Sequence, residues 1–404
     1  MRVLLVVVYY PPSATSAAQM MFDLAHEFVR RGHEVMVVTP DSSINRARSI
    51  TNENGVTVMR VKTGQLRSAN KLLRFWRESH LSRTMWRNCR DVFHENPCEL
   101  IVFYSPTIFF GELIAKLKIA WNSMSYLVHR DIFPQWAVDA GVIREGGVLH
   151  RYLVTKELEQ YVAADIIGVE STGNLAYFDE LSIGEKCKTE VLYNWIGYHA
   201  EPMGTSVWRK KLGLEDKTIF FYGGNIGVAQ DLDNIVRLAT TLAAYPDICF
   251  LLIGDGSEVT RLHEEVKKRA LHNVTMLSAM PQEEYMQVLS EADVGIISLD
   301  RRLTSNNFTG KLLGYLSSSK PILASVNRGN DLIDVLNEAD AGIACVNGDD
   351  VFLRDSALLL AAEPTTRRRM GRNARVLCEA KFSVQSVASQ ILAGYEAWLG
   401  GKAL

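Results

Sequence analysis

Three loops of this chain carry the residue types that hold a diphosphate. The stretch Phe220-Phe221-Tyr222-Gly223-Gly224-Asn225-Ile226-Gly227-Val228-Ala229-Gln230 reads as a buried strand over 218–222, a glycine loop, and a helix from about 231 to 242. That is the strand–loop–helix form of a phosphate cradle. Glycines let backbone N–H groups approach an anion, and the helix start adds partial positive charge. Gly224, Asn225, Gly227 and Gln230 are its candidate binding residues. Gly254, Asp255 and Gly256 form a second loop, and Asn306, Gly310, Lys311 and Leu312 stand at the start of a later helix. Lys311 supplies the point charge that a departing nucleoside diphosphate needs. One glycine loop is common punctuation; three on one strand-end rim predict a diphosphate and nucleoside pocket.

A second constellation lies earlier. His129, Arg130 and Asp131 follow a strand expected over 125–129, so three ionisable side chains stand at a strand's C-terminal end, where ligands of parallel sheets bind. The alternative is that Asp131 caps the next helix with Arg130 paired to it. Ser13, Thr15 and Ser16, in the small-residue loop behind Pro11-Pro12, share that kind of rim. Asp231-Leu232-Asp233 has the D-x-D spacing of some metal-binding sites, but two acids in the first turn of a helix favour its dipole without a metal, and no metal ligand is assigned. Neither glycine loop nor the Tyr10–Ala17 loop has the G-x-G-x-x-G spacing of a dinucleotide site.

The elements that must position these residues alternate. Strand, helix and strand over 2–8, 16–31 and 34–39 form a βαβ unit, which implies a parallel sheet and a right-handed crossover. Further strands are expected over 56–61, 100–104, 165–169 and 189–193. A linker over 198–217 leads to a second array, with strands over 218–222, 249–253, 274–277, 294–298 and 321–325. Three helices, near 349–362, 365–382 and 384–399, close the chain. The fold class is therefore α/β, with two Rossmann-like domains, 1–199 and 200–383, and a final helix in 384–404 expected to pack back toward the first domain. A length of 404 residues suits two cores better than one.

Between Arg60 and Arg90 stand nine Lys or Arg against the single acid Glu78, six of the nine on a helical segment expected over 68–95. Arg67, Lys71, Arg74, Trp76 and Arg77 are its candidate membrane-facing residues. A basic amphipathic face with aromatics binds an anionic membrane surface; a solvated basic face over a packed apolar one reads the same way in sequence. The net charge of −2 gives no case for nucleic-acid binding. The six cysteines are scattered and read as reduced, buried thiols. The apolar run behind Met1-Arg2 reads as a buried strand rather than a signal peptide, and no run of 18 apolar residues predicts a spanning helix.

The succession Tyr10-Pro11-Pro12, Ala25 to Val35, Gly224 to Gln230, Ile253 to Gly256, Glu291 to Gly295 and Lys320-Pro321 resembles the retaining GT-B glycosyltransferases of family 4. Arg130 to Gly141 and Phe220 to Asp231 are similar to the N-acetyl-L-fucosaminyltransferases of bacterial O-antigen synthesis. The resemblance implies two Rossmann-like domains with parallel sheets facing a central cleft, acceptor on the first and nucleotide sugar on the second. It implies transfer of an N-acetylated deoxysugar, L-FucNAc from UDP-L-FucNAc, to a lipid-linked or lipopolysaccharide acceptor. It also implies no cofactor or metal, and a peripheral position at the cytoplasmic face of the inner membrane. Asp131 would orient the acceptor or stabilise the cationic sugar, with Arg130 and His129 as helpers. The sequence departs from the family pattern where an Arg and a Lys usually meet the diphosphate, since Asn225 and Gln230 stand there. Two family glutamates are likewise replaced near Asn306 and Gly314. UDP-GlcNAc 2-epimerases of the same fold, and a non-catalytic partner in a membrane glycan assembly, are the alternatives.

Overall fold

A computed structural model describes residues 1–66, 71–139, 141–181, 187–197, 206–303 and 308–402. The chain divides into two units, one made of 1–197 with 384–404 and the other of 198–383.

Among the described residues the first unit holds eight strands: β1 (Arg2–Val6), β2 (Glu34–Asp41), β3 (Arg48–Glu53), β4 (Val56–Lys62), β5 (Leu100–Ser105), β6 (Met124–His129), β7 (Ile166–Val169) and β8 (Lys188–Val191). Their order in the sheet is β3-β4-β2-β1-β5-β6-β7-β8. Every pair is parallel except β3 with β4. β5 and β6 are buried along their whole length, as apolar runs covered on both faces must be. The antiparallel β3 was not expected. It is a polar edge strand, and the turn into β4 is Asn54-Gly55, both with positive φ (53° and 88°), the conformation a two-residue hairpin requires.

The second unit holds β9 (Thr218–Gly223), β10 (Ile248–Ile253), β11 (Val274–Leu277), β12 (Val294–Ser298), β13 (Ile322–Val326) and β14 (Gly342–Val346). The order is β11-β10-β9-β12-β13-β14, parallel throughout. β14 also went unforeseen; Gly342 opens it because a Cβ there would strike the Ile322 backbone of the neighbouring strand.

Three further expectations are corrected. The long basic helix is two helices, Lys71–Ser79 and Leu81–Glu95, parted at His80, whose ring Nδ1 lies 2.8 Å from the Trp76 carbonyl oxygen. In the second helix Leu81, Met85, Cys89 and Phe93 recur at four-residue spacing and are buried, while its basic residues lie on the other sides. The expected linker contains the helix Val207–Leu212, whose first backbone N–H groups, at Trp208 and Arg209, donate to the Glu291 carboxylate at 3.2 and 2.8 Å. The helix expected to begin at Asp231 begins at Asp233, because Val228–Gln230 forms a 3-10 turn and Asp231 is left-handed (φ 41°).

Candidate functional site

In the second sheet the chain leaves β9 toward β10 on one side and returns to place β12 on the other. The C-terminal end of β9 is thus the point where strand order reverses, the position at which open α/β sheets bind ligands. The loop Gly224–Gln230 begins there. It is tied to the loop behind β10: the Ile226 N–H donates to the Asp255 carbonyl (2.8 Å), and the Glu258 N–H donates to the Ile226 carbonyl (3.0 Å). Gly254 permits this approach, since a Cβ on it would collide with the Gly224 carbonyl oxygen. Tyr222 Oη donates to the Asn225 carbonyl (2.5 Å), and Asn225 Nδ2 donates to Gln230 Oε1 (2.9 Å), closing the loop on itself. Among the described residues the N–H groups of Asn225, Gly227, Val228 and Ala229 take part in no backbone hydrogen bond, so four donors remain on a loop held in shape by others.

Lys311 begins the helix Lys311–Ser317 and reaches this loop. Its ammonium lies 4.6 Å from the Tyr222 ring centroid, and a methyl group built on Gly224 (φ 126°) would sit 4.0 Å from its Nζ. Among the described residues it has no ion pair, and burial lowers its pKa to about 8. An enclosed cation without a counter-charge is arranged for an anion that arrives with a ligand. Leu312 is buried in the core, Gly310 is exposed, and Asp255 and Gly256 are exposed at the loop tip. Asn306 lies outside the described residues. The two D-x-D carboxylates have separate partners: Asp231 accepts from Asn347 Nδ2 (2.9 Å), and Asp233 pairs with Arg261 (2.9 Å). Among the described residues no group of three or more His, Cys, Asp or Glu could hold a metal ion.

The first unit has its own switch point, between β1 and β5. Beside it a cavity of about 250 Å³ is lined by Tyr9, Pro11, Ser13, Thr39, Asp41 and Arg60 among others. Thr15 Oγ1 accepts the Ala18 N–H (3.2 Å) as the cap of the helix Ser16–Arg30, so this hydroxyl and Ser16 shape the loop.

The end of β6 separates the three ionisable residues. His129 and Arg130 are buried, and only Asp131 is exposed. The Arg130 guanidinium turns inward, donating to Asn194 Oδ1 (2.6 Å) and to the carbonyls of His129 (2.7 Å), Gly168 (3.3 Å) and Tyr193 (3.3 Å). It ties the ends of three elements together and lies 5.7 Å from the Trp195 ring centroid. Burial lowers its pKa, which the neighbouring Glu170 opposes. Enclosure raises the Asp131 pKa, and Arg130 beside it pulls the other way; with solvent access retained, the carboxyl stays an ionisable group at the rim. His129 Nε2 lies 3.0 Å from Tyr161 Oη, and that hydroxyl donates to Glu157 Oε1 (2.8 Å). Glu157 and Tyr161, missed in the sequence, are one helical turn apart on the buried side of the helix Val148–Ala163; an acid facing inward on that helix was the available signal.

Of the expected membrane-facing residues, Arg67 lies outside the described residues, and Lys71 and Arg74 fall on the helix Lys71–Ser79. Trp76 is 59% exposed, a large apolar ring presented to solvent, while Arg77 Nη1 donates to the Gln65 carbonyl (2.9 Å). Among the described residues no helix is long and apolar enough to cross a membrane.

Residues 205–377, which fall within the second unit, match the family model described as Glycosyl transferases group 1. The chain is 26% identical over 234 residues to the "Probable glycosyltransferase WbjE" of Pseudomonas aeruginosa, covering 56% of this chain and 57% of that protein. It is 26% identical over 190 residues to the alpha-D-kanosaminyltransferase of Streptomyces kanamyceticus, covering 46% of this chain and 47% of that one. The chain thus spans about half the length of the curated relatives it matches. Among solved structures, WaaG, a glycosyltransferase involved in lipopolysaccharide biosynthesis, superposes with a TM-score of 0.59 at 14% identity, covering 96% of this chain and 98% of that one. Anabaena HepE in complex with UDP superposes with a TM-score of 0.64 at 14% identity, covering 98% of this chain and 100% of that one. These likenesses identify the architecture as the GT-B fold.

Proposed function

We propose that this chain is a glycosyltransferase that takes its donor as a nucleotide sugar, with the second unit binding the diphosphate. The observation that carries the reading is Lys311, an enclosed ammonium with no counter-charge among the described residues, set against the glycine loop at the switch point of the segment that matches the group 1 model. In this reading the N–H groups of Asn225 and Gly227 and the Lys311 ammonium take up the charge of the leaving diphosphate, and no metal is needed. The acceptor hydroxyl attacks C1 of the sugar on the face from which the diphosphate departs. The C1–oxygen bond to the donor breaks as the new one forms, and the hydroxyl proton goes to the leaving phosphate. Configuration is retained. Asp131 orients the acceptor or stabilises the cationic sugar, while Arg130 and His129 hold the strand end that presents it.

The finer identity rests on family resemblance. The donor is UDP-L-FucNAc and the acceptor a lipid-linked or lipopolysaccharide glycan of surface polysaccharide synthesis, which places the protein at the cytoplasmic face of the inner membrane. Exposed Trp76 on a basic helix supports membrane contact. Binding to vesicles of anionic lipid is expected to weaken as salt rises; salt-independent or absent binding removes the membrane part of the reading.

The decisive measurement incubates the protein with a panel of UDP-sugars, with and without a lipid-diphosphate glycan. UDP release that depends on the acceptor supports the reading. Isomerisation of the donor without transfer would make the protein an epimerase, and absence of both reactions would leave it a non-catalytic partner.

A further inference from the structure

We infer that Glu157, acting through Tyr161, fixes His129 as the neutral tautomer that carries its proton on Nε2 and leaves Nδ1 a bare acceptor. The argument is a count of protons along a buried chain. The ionised Glu157 carboxylate can only accept hydrogen bonds. Its Oε1 receives two tyrosine hydroxyls, Tyr161 at 2.8 Å and Tyr177 at 3.0 Å. A tyrosine has one hydroxyl proton, so Tyr161 has none left for His129. The 3.0 Å contact between Tyr161 Oη and His129 Nε2 must then be filled by a proton on the imidazole. A neutral ring has only one such proton, and Nδ1 is left with a lone pair. That atom is buried and, among the described residues, has no hydrogen-bond partner.

The groups facing this chain are few. His129 meets Arg130 from its own strand end, Tyr161 from the helix Val148–Ala163, and the Phe178 ring, 5.1 Å away, from the helix Leu175–Glu180. Among the described residues Glu157 meets only the two tyrosines. Burial, with Arg130 adding to it, lowers the His129 pKa to about 3, so the ring stays neutral at any ordinary pH and its tautomer is the variable that matters. Burial raises the Glu157 pKa to about 7 against the two tyrosine hydrogen bonds, so the constraint holds fully above that pH and relaxes below it. A protonated Glu157 can donate, which frees Tyr161 to donate to Nε2 and lets the histidine proton move to Nδ1. Glu157 is therefore a positioning residue, and its consequence for turnover rests on the glycosyltransferase reading of the site.

The test is nitrogen NMR of the full chain labelled with ¹⁵N-histidine, with the His129 signals assigned by their loss in His129→Gln. At pH 8.5 the wild type should show a protonated Nε2 and an unprotonated Nδ1, and a growing Nδ1–H population as pH falls through about 7. Tyr161→Phe, which removes the acceptor for Nε2–H, should abolish both the single tautomer and its pH dependence. Glu157→Gln, which has no proton to gain, should keep one tautomer population across pH 5.5 to 8.5. A protonated Nδ1 in the wild type at pH 8.5, or the same signals in folded Tyr161→Phe, overturns the inference. Transfer assays on the same samples separate it from the reading it rests on: the expected spectra without transfer would refute the enzyme and leave the tautomer assignment standing.

Discussion

The residue that most narrows the chemistry is Lys311, and its pKa gives a signed prediction. In the free protein burial holds it at about 8. A bound diphosphate favours the charged form and raises that value, so the complex keeps a proton that the free protein releases above pH 8. UDP affinity should therefore be full near pH 7, decline as pH rises through about 8, and keep falling toward pH 10. A hydrogen bond to a charged group contributes roughly 1.5–3 kcal/mol, so Lys311→Met should weaken UDP about 10- to 100-fold and flatten that pH profile. Titration calorimetry at three pH values checks both; an unchanged profile in the variant would remove Lys311 from the diphosphate. The lysine's place at a helix start was legible in sequence, because a glycine loop and a following periodic segment mark it. Its partner Tyr222 was not, since a tyrosine ending an apolar strand looks the same whether or not a cation lies over its ring. The inward turn of Arg130 was equally hidden, because its acceptors, Asn194 and three backbone carbonyls, come together only through the sheet.

At the scale of elements, the central strands were legible because burial on both faces leaves an apolar run with no alternation, as in Leu100–Ser105 and Ile248–Ile253. The edges were not. β3 is polar, and only its Asn-Gly turn announces it; β14 is five residues long and begins with glycine. The basic helix broke at His80 although its pattern runs through, because local spacing does not record which face the sheet will take. Loop contacts across strands were also out of reach: the glycine loop's dependence on Gly254 comes from two backbones meeting. Its test follows from that contact. In Gly254→Ala the Cβ meets the Gly224 carbonyl, and no rotamer change can relieve a clash with backbone. The variant should lose on the order of 1–3 kcal/mol of stability and most of its UDP affinity together. Gly400→Ala, where a Cβ meets nothing within 4 Å, should keep both. A Gly254→Ala protein with wild-type melting and UDP binding would show that the two loops do not need their present approach.

The whole molecule is two units threaded unequally. The second is one continuous segment, 198–383, whereas the first takes 1–197 and then recovers 384–404 from the end of the chain. The helix Val384–Lys402 is part of the first unit's core: Val384, Val387, Ala388 and Ile391 are buried with Met124, Tyr126 and Ile166. It is also fastened at its sides. Arg31 Nη2 donates to the Gln385 carbonyl (2.6 Å), and Gln390 Nε2 donates to the Val191 carbonyl (2.8 Å). Burying a Val or Ile side chain contributes about 1.5–3 kcal/mol, so losing three of them costs roughly 5–9 kcal/mol. That is comparable with the whole stability of a domain, about 5–15 kcal/mol. No residue of the second unit's core cluster comes from this helix. Truncation after Ser383 should therefore remove the first unit's calorimetric transition and leave a second transition that UDP still shifts upward. Transfer should vanish in the same protein, because in the proposed reaction the acceptor-side Asp131 belongs to the unit that has unfolded. If both transitions survive, the helix is dispensable to the first core; if both are lost, the second unit does not stand on its own residues.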